Sequence, residues 1–307
     1  MNNPFGLAIR RAGCTITLRG VTMGFQRYAL NFSAPSQRGQ VGELTRILEN
    51  HGAYIEQFSV FDDEICQYFY LRSVFHIEEK SFDLKRLQDE YHEFLQQQNG
   101  EGHIWDLDEP VKVLIMVSKT DHCLNTLISA SKLGVLNMDI VGIGSNHLDL
   151  KPIADHHGIP YYHLPVNNEN RARQEQQIID LKSQLDAEFV VLARYMQVLS
   201  PQTSKMLEKQ AINIHHSFLP GFRGAKPYEQ AHARGVKLIG ATAHFVTPDL
   251  DEGPIIDQDV ERVDHAFTPA DLLRTGRHSE SVVLERALQQ VLERRVFING
   301  ERTVVLR

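Results

Sequence analysis

Apolar positions change rhythm along this chain, and the change divides it in two. From "QRYALNFSAP" at residue 26 they alternate as in a short strand, and then Val41, Leu44, Ile47 and Leu48 recur at helical spacing. His51-Gly52 ends that helix in the manner of a C-cap. "YIEQFSVF" and "CQYFYLRSVFHI" read as two strands joined by the Asp62-Asp63-Glu64 turn, and "SFDLKRLQDEYHEFLQQQ" as a second amphipathic helix. A weaker pattern near Ile104 allows one more short strand. The order predicts a ferredoxin-like α+β domain over 26–100. The polar, Gly-containing stretch that follows reads as linker, at 101–110.

Beyond residue 110 the strands are apolar throughout rather than alternating. "VKVLIMV" at 111, "MDIVGIG" at 138, "FVVLARY" at 189 and "AINIHH" at 211 are separated by helical segments at 121–134, 168–186 and 201–209. Such strands predict a mostly parallel sheet covered on both faces, a Rossmann-like α/β domain over 111–307. "LIGATAHFV" at 238 and "PIIDQDV" at 254 add two strands around the loop "TPDLDEG", and a long helical segment follows. Ligands of such sheets bind beyond the carboxyl ends of the strands.

Composition narrows the classes. The chain has 307 residues, 23% of them charged, and a net charge of -7. That balance excludes sustained nucleic-acid or membrane-surface binding and favours a small-molecule substrate. No apolar run reaches the roughly 18 residues of a membrane span. Three dispersed cysteines exclude a full disulfide framework and a CxxC metal knuckle, so the chemistry reads as reducing and cytoplasmic. The first 42 residues hold Arg10, Arg11, Arg19, Arg27 and Arg38 and no acid, which raises the question of a targeting peptide. They lack a long apolar core and are poor in Ser, so residues 1–25 read as a disordered extension.

The candidate chemistry sits where "INIHHSFLPGFRGAKPYEQ" ends an apolar run at 212. Buried imidazoles and carboxamides need partners of their own or cost kilocalories, so this strand end is a polar network or a site. Asn213 and His215 are two apart and project to one face. Side by side, they can both donate to one developing oxyanion. His244 lies on the next strand, and Asp251 in the acidic loop after it can hold an imidazole protonated or collect a proton. Ser217 lies outside a GxSxG elbow and Cys123 has no protease-like surround, so the attacking group comes from substrate or water. Zinc at His215-His216 lacks an acid at metal-like spacing. On spacing alone, a satisfied structural network remains the alternative.

"INIHHSFLPGFRGAKPYEQA" followed by "IGATAHFVTPDLDEGPIIDQDV" resembles the folate-dependent formyltransferase family, with its Asn-x-His strand, Pro-rich turn and downstream Asp-x-Gly loop, over about 111–300. The resemblance implies that Asn213, His215 and Asp251 polarise a formyl carbonyl and manage the proton. It also implies that Met196, Gln197, Val198 and Leu199 of "RYMQVLS" line a pterin pocket, that the 247–251 loop with Thr247 closes it, and that His216 and His244 contribute. The N-terminal stretch "APSQRGQVGELTRILENHGAYI" resembles an ACT domain, although the usual Asp-x-Pro-Gly turn reads Ser36-Gln37-Arg38-Gly39.

The combination of "HHSFLP", "GAKPY" and "DLDEGPII" with a preceding regulatory module resembles the branch of the family that hydrolyses 10-formyltetrahydrofolate to tetrahydrofolate and formate. Ribonucleotide formyltransferases carry a Gly-rich phosphate cradle after their first strand. Here that place reads "VSKTDHCLN", without Gly and with bulky Lys119 and His122. The missing cradle points to water as acceptor, with Lys119 as a candidate anion contact. The expectation is metal-independent hydrolysis without a cofactor, a methionine or glycine effector at the ACT-like domain, and a homo-oligomer, dimer or tetramer. Formyl transfer to an amine (a ribonucleotide, an aminoacyl-tRNA or a nucleotide sugar) and a non-catalytic folate sensor are the alternatives.

Overall fold

A computed structural model describes residues 25–77, 82–220 and 227–307. The extension expected over 1–25 thus lies, but for Phe25, outside the described residues. The chain divides into two compact units that meet in sequence at Asp108 and Glu109.

The first unit runs β1 (Arg27–Pro35), α1 (Gln40–Asn50), β2 (Ala53–Asp63), β3 (Tyr68–Ile77), α2 (Leu84–Gln98) and β4 (Glu101–Asp106). The strands form an antiparallel sheet in the order β2-β3-β1-β4, the ferredoxin-like arrangement of an ACT-like domain. Gly39 precedes α1 at φ 91°, a conformation that favours glycine, so the altered 36–39 turn keeps the one residue its backbone needs. Asp83 caps α2, its carboxylate accepting from the Lys85 and Arg86 amides. Leu30, Phe32, Leu44, Leu48, Leu71, Phe75 and Leu87 make a fully buried core between helices and sheet.

The linker expected at 101–110 is mostly strand. Residues 101–106 are β4, paired with β1 along the sheet edge. Only Ile104 of this strand is buried, which is why its apolar pattern is faint. Gly102 is required there, because a Cβ would meet the Asn31 carbonyl at 2.1 Å and the Tyr91 hydroxyl that bonds it.

The second unit carries β5 (Val111–Val117), α3 (His122–Lys132), β6 (Met138–Ser145), α4 (Lys151–His157), β7 (Tyr161–His163), α5 (Arg171–Gln184), β8 (Phe189–Leu192), α6 (Pro201–Met206) and β9 (Ala211–His215). It continues with α7 (Pro227–Arg234), β10 (Leu238–Phe245), β11 (Ile255–Arg262), α8 (Pro269–Leu292) and the hairpin β12 (Val296–Asn299) and β13 (Arg302–Val305). One sheet has the order β11-β10-β9-β8-β5-β6-β7, parallel from β9 to β7 and antiparallel at β10 and β11. Period-two alternation feeds two cores. Val113, Ile115 and Val117 of β5 pack with Leu124, Leu127, Leu284 and Leu288 of α3 and α8, whereas Leu114 and Met116 pack with Ile178 and Leu181 of α5.

The strand expected at 189–195 stops at Leu192, because Arg194 takes a left-handed backbone at φ 63° and turns the chain. α4, β7, α7 and the β12-β13 hairpin were not expected. The three-residue β7 and the seven-residue α4 are too short to show periodicity.

Candidate active site

The carboxyl ends of β8 and β9, the loops after them and the loop between β10 and β11 enclose a cavity of about 350 Å³. This volume falls in the range of small-molecule sites. Loop 193–200 forms one wall and is pinned at both ends. The Met196 amide donates to Ser118 Oγ (2.9 Å), whose hydroxyl bonds Asn146 (2.8 Å). The Ser200 amide donates to buried Glu175 (3.1 Å), which also takes the Thr203 hydroxyl (2.6 Å). Met196 and Val198 leave about half of their surface exposed beside the cavity, an apolar platform. Gln197 and Leu199 complete that wall.

On the opposite side, Asn213 of β9 and His244 of β10 are direct cross-strand partners. His244 Nδ1 lies 2.9 Å from the Phe245 carbonyl, an acceptor only, so Nδ1 carries the hydrogen and Nε2 accepts. Asn213 Nδ2 is 3.2 Å from that Nε2. His244 therefore fixes which end of the carboxamide is the amide and leaves its second N–H for a ligand. Burial, more than any other influence, holds the His244 imidazolium below its ordinary range, in keeping with a neutral ring. A register shift in the β10-β11 ladder between Ala243 and His244 accompanies this placement.

His215 is buried, and its Nδ1 lies 3.3 Å from Asp251 Oδ1; the same oxygen is 3.8 Å from His244 Nε2. His215 Nε2 is buried without a hydrogen-bond partner among the described residues. Burial pushes the Asp251 carboxyl up, but the His215 hydrogen bond and the surrounding imidazoles outweigh it and hold the group below its usual range. Asp251 takes a left-handed backbone at φ 57°, and Gly253 lets the loop close on β10, since a Cβ there would meet the Phe245 carbonyl at 1.8 Å. Asn213, His215, His216, His244, Thr247 and Asp251 all line the cavity, with the 196–199 wall facing them. Lys119 does not; it is exposed on the loop after β5.

The sequence reading passed over a second polar cluster adjoining the first. Glu280 of α8 is almost fully buried. Its Oε1 accepts from the Tyr228 hydroxyl (2.8 Å), and its Oε2 meets His122 Nε2 (2.7 Å) and Arg194 Nε (3.2 Å). Burial raises the Glu280 carboxyl, but His122 and Arg194 more than offset this and keep it ionised. A signal was present: Glu280 falls on the buried stripe of α8 with Gly276, Val283, Leu284 and Ala287. His122, Cys123 and Glu280 also converge as a metal set would. The Arg194 cation already beside the carboxylate, and a Cys123 thiol that burial pushes up to about 12, do not fit a bound cation.

Fold and site together define a formyl-transferring class of domain, and the profile described as "Formyl transferase" matches residues 111–288. A formyltetrahydrofolate deformylase of Corynebacterium sp. (strain P-1) is 42% identical over 92% of this chain and 98% of its own length. The crystal structure of a formyltetrahydrofolate deformylase from Burkholderia mallei matches with TM-score 0.88 and 51% identity over 92% of this chain and all of that one. A glycinamide ribonucleotide transformylase from Symbiobacterium toebii matches more distantly, with TM-score 0.61 and 25% identity over 66% of this chain and 97% of its own. The chain belongs to the formyltetrahydrofolate deformylase family within the formyl transferases.

Proposed function

We propose that this chain hydrolyses 10-formyltetrahydrofolate to tetrahydrofolate and formate. The observation that carries the proposal is the convergence of Asn213, His215, His244 and Asp251 on one cavity with donor positions left unused, in a chain of this family. The pterin lies along the 196–199 wall, which directs the N10-formyl group at β9. The free amide N–H of Asn213 and the unfilled Nε2 of His215, whose Nδ1 faces Asp251, meet the formyl oxygen as it becomes an oxyanion. Water forms the new C–O bond. Asp251 collects the proton that this water sheds, the C–N10 bond breaks, and the proton passes to N10, leaving formic acid to ionise in solvent. No cofactor enters this scheme.

Formate release from purified protein and 10-formyltetrahydrofolate, with a chelator and no amine acceptor, tests it. Stoichiometric formate supports hydrolysis; turnover only on adding an amine would replace water by that amine. In the same proposal the ACT-like unit takes methionine or glycine as effector. The chain is a cytoplasmic homo-oligomer, in keeping with exposed Tyr54, Phe58, Val60 and Phe61 on edge strand β2. No helix among the described residues is long and apolar enough to cross a membrane. Sedimentation of the full chain with and without each amino acid checks both points.

A further inference from the structure

His216 follows His215 at the end of β9, with its ring stacked on its neighbour's at 4.7 Å between centroids. Its Nδ1 lies 2.9 Å from Arg194 Nη1. A guanidinium only donates, so Nδ1 accepts and the neutral ring carries its hydrogen on Nε2. That nitrogen is buried, and no described residue accepts from it. Arg194 is itself held against Glu280, which Tyr228 and His122 secure from behind. Arg194 and His216 both line the cavity.

We infer that His216 is a further catalytic residue, a neutral imidazole whose Nε2–H donates to an oxygen of the reacting formyl group, with Arg194 and Glu280 as its positioning pair. The inference rests on the hydrolytic reading for the identity of that oxygen. A buried donor without an acceptor costs free energy, and a substrate oxygen removes that cost while gaining a bond that strengthens as the oxygen takes up charge. His216 is not a general base, because Arg194 occupies its only lone pair. The groups facing it agree. Burial first, then Arg194 and His215, lower its affinity for a second proton, against smaller opposing effects of Glu280 and Asp251, and its pKa falls to about 4.

Nitrogen NMR of the full-length chain labelled in its histidines reads the tautomer directly, with His216→Gln to assign the signal. A hydrogen on Nε2 and none on Nδ1 from pH 5.5 to about 9 is the expected result. A Nδ1–H tautomer, or titration near the ordinary histidine value, would overturn the assignment. In the formate assay His216→Leu lowers kcat by about 10²-fold with KM little changed, while His216→Gln, which keeps an N–H near the Nε2 position, retains activity within about tenfold. Arg194→Met frees the lone pair, so its pH–rate profile gains a limb between pH 5 and 7 that the wild type lacks. A purely structural Arg194 would lower the rate equally at every pH, and turnover of His216→Leu within twofold of wild type would sink the catalytic role. Should the wild-type chain release no formate while the tautomer is as stated, the reaction is wrong and the donor assignment stands.

Discussion

Two polar clusters share one end of the α/β sheet, and they are built to opposite specifications. Around Glu280 the contacts are short, 2.7 to 3.2 Å, and both carboxylate oxygens are occupied, one of them twice. Around Asp251 they are long, 3.3 and 3.8 Å, and His215 keeps a buried nitrogen that no described residue fills. The difference teaches how to tell a strut from a site when both consist of buried His, Arg and acid. The Glu280 carboxylate has both oxygens engaged, although His122 Nδ1 and Arg194 Nε stay buried without a hydrogen-bond partner among the described residues, whereas the Asp251 cluster is loosely held and its unfilled nitrogen belongs to a residue that lines the cavity. Arg194 belongs to both, which is how rigidity behind the site reaches the groups that face the cavity.

Breaking the strut should cost the most. Glu280→Ala leaves Arg194 and His122 buried beside a vacancy, and loss of one partner from such a pair typically destabilises by about 3–5 kcal/mol. Urea unfolding should register that loss, and a fall below about 1 kcal/mol would mean the cluster is not the strut described. Breaking the site should do the reverse. Asn213→Ala or His215→Ala removes an oxyanion donor, for a loss of about 10²- to 10³-fold in kcat, roughly 3–4 kcal/mol, with stability changed by about 1 kcal/mol. Near-full turnover in either variant would undo the site assignment.

His216, at the junction, sharpens the contrast through pH. Folded, it holds a second proton only below about pH 4, against an ordinary 6.5, so between those values the unfolded chain binds the proton first. Its contribution to stability is complete above pH 6.5 and is lost progressively as pH falls to 4, amounting to about 3 kcal/mol at about 1.4 kcal/mol per unit of pH. The stability of wild type relative to His216→Gln should therefore be constant above pH 6.5 and fall as pH drops toward 4. Parallel curves across that window would show that the ring is not held neutral.

The two clusters also differ in how far the sequence disclosed them. Asn213, His215, His244 and Asp251 could be read because strand alternation and a recognisable motif put them together, and the cavity gathers all four. Their roles were open, since which nitrogen of His244 accepts depends on the Phe245 carbonyl, a contact no pattern encodes. Arg194, His122, Tyr228 and Glu280 come from four elements spread over the domain, and only a polar residue on the apolar stripe of α8 hinted at them. The fold was legible in the same measure. Strands of β5 length announced themselves, while β4, with one buried side chain, showed only as a weak strand near Ile104 inside a stretch read as linker.

Tyr228→Phe gives the smallest effect and the finest division between strut and relay. The hydroxyl donates to Glu280 Oε1, but His122 and Arg194 remain on Oε2, so the carboxylate stays ionised and in place. Loss of one hydrogen bond among several should cost about 1 kcal/mol, a shift of about 2–4 °C in melting temperature for a domain of this size. The ring itself is buried against Gly276, where a Cβ would meet the Tyr228 hydroxyl at 1.9 Å, so its packing survives the substitution. If the cluster is a strut, kcat and its pH profile stay as in the wild type, because Arg194 still donates to His216. If Tyr228→Phe instead produced the additional pH limb expected of Arg194→Met, Glu280 would be passing changes in its own bonding on to the cavity, and the two clusters would be one machine.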